Sequence, residues 1–197
     1  MPVPVPLTSP ITRGRILGID PGTRVVGYAI VDVPAPGRFE YVECGVLKVR
    51  ASDELSARLL ELATSVRELI AEFAPAHLAI EQAFHGLNAA SALKLAEARG
   101  ALKLVALEHG LGVSEYAPAL VKRAVAGRGR ATKAEVQARV RLLCRLGNAP
   151  QADAADALAI AICHVQASRL PTPELPRVAR VRSASARKLA RNRRGPR

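Results

Sequence analysis

The chain has 197 residues, of which 49% are hydrophobic, and a formal net charge of +12, a length that suits one domain with a sizeable core. No apolar run approaches the roughly 20 residues of a membrane span. The first ten residues lack the charged start and apolar core of a signal peptide. The three cysteines show neither a disulfide framework nor the CxxC spacing of a zinc site. We therefore expect a cytoplasmic protein without a membrane segment.

The first predicted elements are two apolar strands within residues 16–33, ILGIDPGTRVVGYAIVDV. They follow a proline-rich stretch, residues 1–14, which predicts a disordered arm. Pro21 and Gly22 supply the fixed φ and the permissive residue of a sharp reversal. Asp20 therefore ends the first buried strand. Taken alone, an Asp before Pro-Gly is better explained as turn chemistry, and the carboxylates further along the chain change that balance.

A third strand is predicted at residues 39–49, and the short turns between the three strands predict an antiparallel meander. A helix with apolar positions three or four residues apart follows, and a short strand at residues 77–80 then ends on Glu81. Because a helix between two strands of one sheet implies a parallel crossover, this strand can lie beside the first. Asp20 and Glu81 would then share one edge, although Glu81 alone reads as a surface residue.

A long helix rich in small residues is predicted at residues 88–109, and we expect nearly all of it to be buried, in part by a subunit contact. A fifth strand at residues 111–116 and a short helix at residues 118–126 follow. The next helix, within residues 132–147, begins with a capping box of the form T-x-x-E.

The last predicted helix follows Pro150 and reads QADAADALAIAICHVQ. Asp153 and Asp156 are three residues apart, which puts both carboxylates on one face of its first turn. Two acids at a helix N-terminus also complement the helix dipole without any further role. The rest of the helix is too apolar for the surface, so we expect its first turn to abut the body and its acids to reach an interior cleft.

Positive charge is concentrated in two segments of the chain. Residues 1–121 carry 11 basic and 13 acidic groups, whereas residues 122–145 carry 8 against 1 and residues 169–197 carry 10 against 1. A slightly acidic body with a basic segment and a basic tail is typical of a protein with a polyanionic partner. The tail is predicted to be disordered, which leaves residues 15–168 as the single folded domain.

The predicted elements thus bring four acids close together: Asp20, Glu81, Asp153 and Asp156. Clustered carboxylates repel one another unless divalent cations neutralise them. Oxygen ligands without His or Cys select hard ions, so two Mg²⁺ ions are expected, with Mn²⁺ as a substitute. Two such ions and a basic flank suit phosphodiester hydrolysis. The element order predicts an α/β, ribonuclease H-like fold, with a mixed five-stranded sheet of three antiparallel and two parallel strands, flanked by helices.

Four linked motifs carry a resemblance to a known family. LGIDPGTRVVGYAIVD at residues 17–32, AIEQAF at 79–84, NAASALKLAEARGAL at 88–102 and PQADAADALAIAICH at 150–164 resemble the RuvC family of Holliday junction resolvases, in the right order and spacing. The resemblance implies a homodimeric, Mg²⁺-dependent endonuclease that makes paired nicks in a four-way DNA junction in homologous recombination and DNA repair. It also implies a RuvA and RuvB branch-migration complex as partner.

The resemblance also assigns roles to single residues. The family's four acids fall on Asp20, Glu81, Asp153 and Asp156, the four that spacing indicates. Phe84 matches an aromatic residue that contacts bases, although a core Phe is the alternative, and the helix from Asn88 matches the dimer contact. The DNA-binding basic residues that we expect are Lys122 and Lys133, from the resemblance, and Arg128 and Arg130, from their charge alone.

Three other readings compete with this one. GIDPGT before a returning strand resembles the phosphate-binding hairpin of sugar kinases and actin-like proteins, but those chains need a second lobe with a second hairpin, which these 197 residues do not contain. A nuclease of the same fold that acts on RNA is disfavoured by the motif at residues 88–102. A junction-binding protein without catalysis is disfavoured because all four acids are present.

Overall fold

The structure is a computed structural model, and it describes residues 13–50, 54–82 and 88–167. In these residues the elements are, in chain order, β1 (Gly14–Asp20), β2 (Val25–Ala35), β3 (Arg38–Lys48), α1 (Leu55–Phe73), β4 (His77–Glu81), α2 (Ala89–Glu108), β5 (Gly112–Tyr116), α3 (Pro118–Ala126), α4 (Lys133–Leu143) and α5 (Ala152–Ala167). Each strand and helix predicted within the described residues is present, with ends that differ by a few residues.

The described strands form one mixed sheet in the order β3-β2-β1-β4-β5. β2 is antiparallel to both β1 and β3, whereas β4 is parallel to both β1 and β5. The predicted sheet, with an antiparallel meander and two parallel strands, is confirmed. Short turns force antiparallel neighbours, and a crossover helix returns the chain in parallel.

β1 lies at the centre of the sheet and is buried on both faces. Leu17 and Ile19 pack into the core under α1 and α2, whereas Ile16 packs into the core under α3, α4 and α5. These three side chains are fully buried, and burial of each contributes roughly 1.5 to 3 kcal/mol. The strand is thus held from both sides, which fixes the position of Asp20 at its end.

α5 is the most buried helix of the described chain. All residues from Leu158 to Val165 are buried, and the helix packs against the sheet and against α3 and α4. The prediction that this helix is internal is confirmed. None of the described helices combines the length and the hydropathy that a bilayer crossing requires.

α2 differs from its prediction. Asn88 caps it as expected, since its side-chain oxygen accepts a hydrogen bond from the backbone N–H of Ser91 at 2.9 Å. The prediction that nearly all of the helix is buried is wrong for the single chain, where the buried residues of α2 are Ala98, Leu102, Val105 and Ala106. One helix face is enough to cover α1 and the sheet, so the opposite face remains exposed.

α4 begins as predicted and ends earlier. Its capping box is present, with the Thr132 side chain bonded to the Glu135 backbone and the Glu135 side chain bonded to the Thr132 backbone. The helix ends at Leu143 and not near Gly147, because Arg145 adopts a left-handed conformation, with φ of 55°, and a residue there ends α-helical hydrogen bonding.

Candidate active site

Two strand ends meet at one edge of the sheet. β1 ends on Asp20 and β4 ends on Glu81, and the last register pair between these parallel strands is Ile19 with Ile80. The two acids therefore follow directly from paired residues on adjacent strands. Beside them opens a cleft of about 370 Å³. It is lined by Asp20, Glu81, Pro118, Ala119, Val121, Lys122, Gly129, Lys133, Val136 and Asp156.

The first turn of α5 reaches this edge because two strand residues are glycines. A Cβ atom at Gly27 would lie 1.9 Å from the carbonyl oxygen of Asp153, and one at Gly18 would lie 2.5 Å from that of Ala157. Only a residue without a side chain allows the helix backbone to come so close. Gly27 is also the cross-strand partner of Asp20. The glycine contact therefore sets the start of α5 beside Asp20.

Asp20 is the electrostatic centre of the site. Its pKa is raised to about 7, first by burial and then by the negative charges of Glu81, Asp156 and Asp153, in decreasing order. Burial and then the charge of Asp156 also raise the pKa of Glu81. Each of the three other acids therefore lies close enough to Asp20 to make its ionisation costly. Three of the four predicted acids, Asp20, Glu81 and Asp156, line the cleft, and the role predicted for all four stays a prediction.

Asp153 has a different position from the other three acids. It is not one of the cleft-lining residues, and its backbone carbonyl lies against Gly27. Its side chain is partly exposed, and its charge is the weakest of the three that raise the pKa of Asp20. Asp153 therefore lies where the start of α5 packs against β2.

A lysine on α4 faces the acids across the cleft. The ammonium of Lys133 donates to Oδ2 of Asp156 at 3.2 Å, and the charge of Asp156 raises the pKa of Lys133. Its side chain is 79% exposed, so the ion pair adds little stability. Lys122 on α3 lines the same cleft. Both lysines predicted to bind DNA are therefore beside the acids, as cations at the mouth of the cleft.

The other predicted DNA contacts have different surroundings. Arg128 forms an ion pair with Glu135 at the start of α4, so its charge is partly offset by a neighbour. Arg130 is exposed in the same connection between α3 and α4. Neither is a lining residue of the cleft, although Gly129 between them is. Phe84 lies outside the described residues.

The donor set was tested for a divalent cation. Its oxygens are carboxylates, which suit a hard ion such as Mg²⁺, and their mutual repulsion is the condition that a bound cation relieves. Among the described residues, no three His, Cys, Asp or Glu side chains are grouped closely enough to hold a metal ion. The residue types fit a divalent cation, and their side chains would have to come closer together to coordinate one.

Similarity to known proteins agrees with this geometry. The family model described as Crossover junction endodeoxyribonuclease RuvC matches residues 16–164. The chain belongs to the RuvC family. A curated RuvC of Chromohalobacter salexigens is 49% identical over 152 residues, which cover 77% of this chain and 81% of that protein. The RuvC of Halorhodospira halophila is 49% identical over 157 residues, which cover 80% of this chain and 93% of that protein.

Solved structures place the RuvC-family chain in the same fold. The RuvC structure of Thermus thermophilus is 34% identical, with a TM-score of 0.71 and coverage of 79% of this chain and 95% of that chain. The same protein in complex with a Holliday junction substrate gives a TM-score of 0.73 with the same identity and coverage. A yeast mitochondrial Holliday junction resolvase, at 15% identity and a TM-score of 0.57, covers 83% of each chain and shares the fold.

Sequence reasoning missed one polar cluster beside the site of this RuvC-family chain. Arg99 on α2 donates from Nε to the carbonyl oxygen of Glu81 at 2.9 Å, and its Nη2 donates to Glu115 on β5. The available signal was an arginine in a helix rich in small and apolar residues and a glutamate within a short strand. Such residues need partners when they leave water, but the sequence does not name the partner.

We expect Asp20 to make the stability of the chain depend on pH in metal-free buffer. Its pKa is about 7 in the fold and 3.8 ordinarily, so the folded state binds the proton more tightly than the unfolded state does. Free energy of unfolding should therefore fall as pH rises from about 4 to 7. Between pH 4 and pH 8 the free energy of unfolding should fall by up to about 4 kcal/mol more in the wild type than in Asp20→Asn. Denaturant titrations of both proteins at the two pH values measure this difference. Equal pH slopes would contradict the expectation.

Proposed function

We propose that this chain is a structure-selective endonuclease that resolves four-way DNA junctions by paired, symmetric phosphodiester hydrolysis, in homologous recombination and DNA repair. The observation that carries the proposal is the cleft at the ends of β1 and β4, where Asp20, Glu81 and Asp156 face Lys122 and Lys133. Membership of the RuvC family supports the same substrate, because a member of the family has been seen with a Holliday junction.

Asp20, Glu81, Asp153 and Asp156 are the proposed ligands of two Mg²⁺ ions, which Mn²⁺ can replace. When bound, the two ions supply Lewis-acid stabilisation to the attacking and leaving oxygens of an in-line phosphoryl displacement. The protein contributes a rigid edge, since Asp20 and Glu81 extend from paired strands and the two Asp residues from a packed helix. Burial and the neighbouring carboxylates make the charge of Asp20 costly, and a bound cation would relieve that cost in competition with a proton.

Lys122 and Lys133 are the proposed phosphate contacts of the scissile strand. Lys133 is held near the acids by Asp156, so its ammonium lies where a backbone phosphate would approach the cleft. Arg128 and Arg130 are proposed to contact DNA further from the acids, and Phe84 is proposed to contact bases near the crossover. Contacts to phosphate position the duplex without reading its sequence.

A homodimer is the proposed assembly, formed through the exposed face of α2. Leu93, Gly100, Leu104 and Leu107 recur at helical spacing on this face, and Leu93, Leu104 and Leu107 are 66%, 57% and 48% exposed. Apolar side chains in such a row are typical of a protein interface. A RuvA and RuvB complex is the proposed protein partner and the cytoplasm the proposed location, as the family resemblance implies.

Leu104→Glu should weaken the dimer by at least about tenfold, because it introduces a charge into an apolar contact. Sedimentation velocity over a range of protein concentrations measures the effect. Leu142→Glu is the matched control, since Leu142 on α4 is 67% exposed and lies away from α2. Equal dissociation of both variants, or of neither, would argue against this interface.

A synthetic four-way junction tests the proposed function. With Mg²⁺, the purified chain should nick two opposing strands at symmetric positions and leave a linear duplex of the same sequence intact. Strand-specific end labels on denaturing gels identify both nicks. Equal cutting of the duplex or of an RNA–DNA hybrid would instead indicate a nuclease of the same fold with another substrate.

A further inference from the structure

Arg99 connects three elements on the face of the sheet opposite α5. Its side chain is 13% exposed. Nε donates to the carbonyl oxygen of Glu81 at the end of β4, 2.9 Å away, and Nη2 donates to Oε2 of Glu115 on β5, 2.5 Å away. One planar guanidinium from α2 therefore holds both strand ends at once, a geometry that its fork of donors allows.

Glu115 is itself fixed as an anion. The ammonium of Lys103, one turn further along α2, donates to its other carboxylate oxygen. Lys103 first and Arg99 next lower the pKa of Glu115. Both oxygens are thus engaged by cations of the same helix. This arrangement leaves Arg99 little freedom to leave the carbonyl of Glu81, because its second arm is anchored on β5.

The hydrogen bond from Arg99 acts on the position of Glu81 and not on the cleft directly. Glu81 follows the last pair of β1 and β4, so the β1 ladder no longer restrains it. Its register partner on β5 is Tyr116, the neighbour of Glu115. The peptide after Glu81 is held on both sides, because the N–H of Gln82 donates to the carbonyl oxygen of Tyr116 at 2.9 Å and the carbonyl of Glu81 accepts from Arg99. Arg99 thus completes the restraint on the backbone that carries the Glu81 side chain.

We propose that Arg99 is a positioning residue that holds Glu81 at the active-site edge, with Glu115 as its anchor. The inference rests on the proposed nuclease function. It also connects α2, whose outer face is the proposed dimer contact, to the catalytic edge through a single side chain. Misplacement of a reacting or metal-binding group by about 1 Å can cost on the order of 10²-fold in rate.

Arg99→Met tests this proposal against Lys103→Met. Both variants lose one cation from α2 that faces Glu115, but only the first removes a donor to Glu81. We expect Arg99→Met to lower the single-turnover rate of junction cleavage by about 10- to 100-fold, the range for groups that orient ligands. Junction affinity in EDTA should match that of Lys103→Met, which removes only part of the anchor on Glu115 and should cleave at least about threefold faster than Arg99→Met. Mn²⁺ affinity without DNA, by electron paramagnetic resonance, should fall about tenfold in Arg99→Met alone.

Several results would overturn the role of Arg99. One is cleavage by Arg99→Met within about threefold of the wild-type rate, and another is a loss of cleavage rate in Lys103→Met as large as that in Arg99→Met. A fall in the junction affinity of Arg99→Met that accounts for its lost rate would be equally decisive. If circular dichroism shows that Arg99→Met is unfolded, Arg99→Lys takes its place, and it should cleave at least about fivefold more slowly because it lacks the fork. A wild-type protein that leaves the junction uncut would overturn the proposed function itself, which is measured first.

Discussion

Asp20→Asn should bind a four-way junction as tightly as the wild type and cleave it on the order of 10³-fold more slowly. The substitution keeps the size and shape of the side chain and removes one anionic oxygen from the centre of the site. All three other acids raise the pKa of Asp20, so a cation bound at Asp20 would relieve the repulsion that it experiences from each of them. Rates come from single-turnover cleavage in Mg²⁺, and affinities from gel shifts in EDTA.

Asp32→Asn provides the matched control for this prediction. Asp32 also lies on a central strand of the sheet, but its carboxylate pairs with Arg15 at 2.7 Å and its side chain is 40% exposed. Loss of such an exposed pair costs at most about 1 kcal/mol and should leave cleavage unchanged. An Asp20→Asn protein that cuts at the wild-type rate would remove Asp20 from the chemistry, and one that no longer binds the junction would make its role structural.

Gly27→Ala should damage the active site without any change of a polar residue. The new Cβ atom would lie 1.9 Å from the carbonyl oxygen of Asp153 and 2.4 Å from its carbonyl carbon, so β2 and α5 must separate. Overpacking of this kind costs about 1 to 3 kcal/mol. The start of α5 would move with Asp153 and Asp156, and we expect cleavage to fall on the order of 10²-fold. Denaturant titration and single-turnover cleavage measure the two effects.

Gly147→Ala is the control for the same chemical change. A Cβ atom at Gly147 would meet no atom within 4 Å, and its φ is not in the left-handed range. Both its stability and its cleavage rate should stay close to wild type. If Gly27→Ala behaves in the same way, the close approach of α5 to β2 is not what sets the site.

Much of the fold could be read from local pattern. The apolar runs of β1 and β2, the Pro21-Gly22 reversal and the Thr132–Glu135 capping box report on backbone that is close in sequence. The crossover rule then placed Asp20 and Glu81 at one edge, which the register of β1 and β4 confirms. Three of the four predicted acids line one cleft with both predicted lysines. Their roles stay predictions until the variants above are measured.

Other features depended on which surfaces meet. The apolar and small residues of α2 predicted burial of nearly the whole helix, in part by a subunit contact, and the single chain covers only one face of it. The link from Arg99 to Glu81 joins residues 18 positions apart. Neither arises from periodicity, because a pattern gives the face of a helix and not the element that covers it.

Sequence alone determined the order of the strands and helices, the N-terminal caps of α2 and α4 and the set of acids, since these follow from local propensity and hydrophobic spacing. Tertiary structure decided how near the acids come to one another. That distance is set by Gly18 and Gly27, where the α5 backbone touches the sheet, and by Arg99 behind Glu81. Contacts of this kind form between elements that are distant in the chain. They fix the positions of the acids only once the whole core has packed.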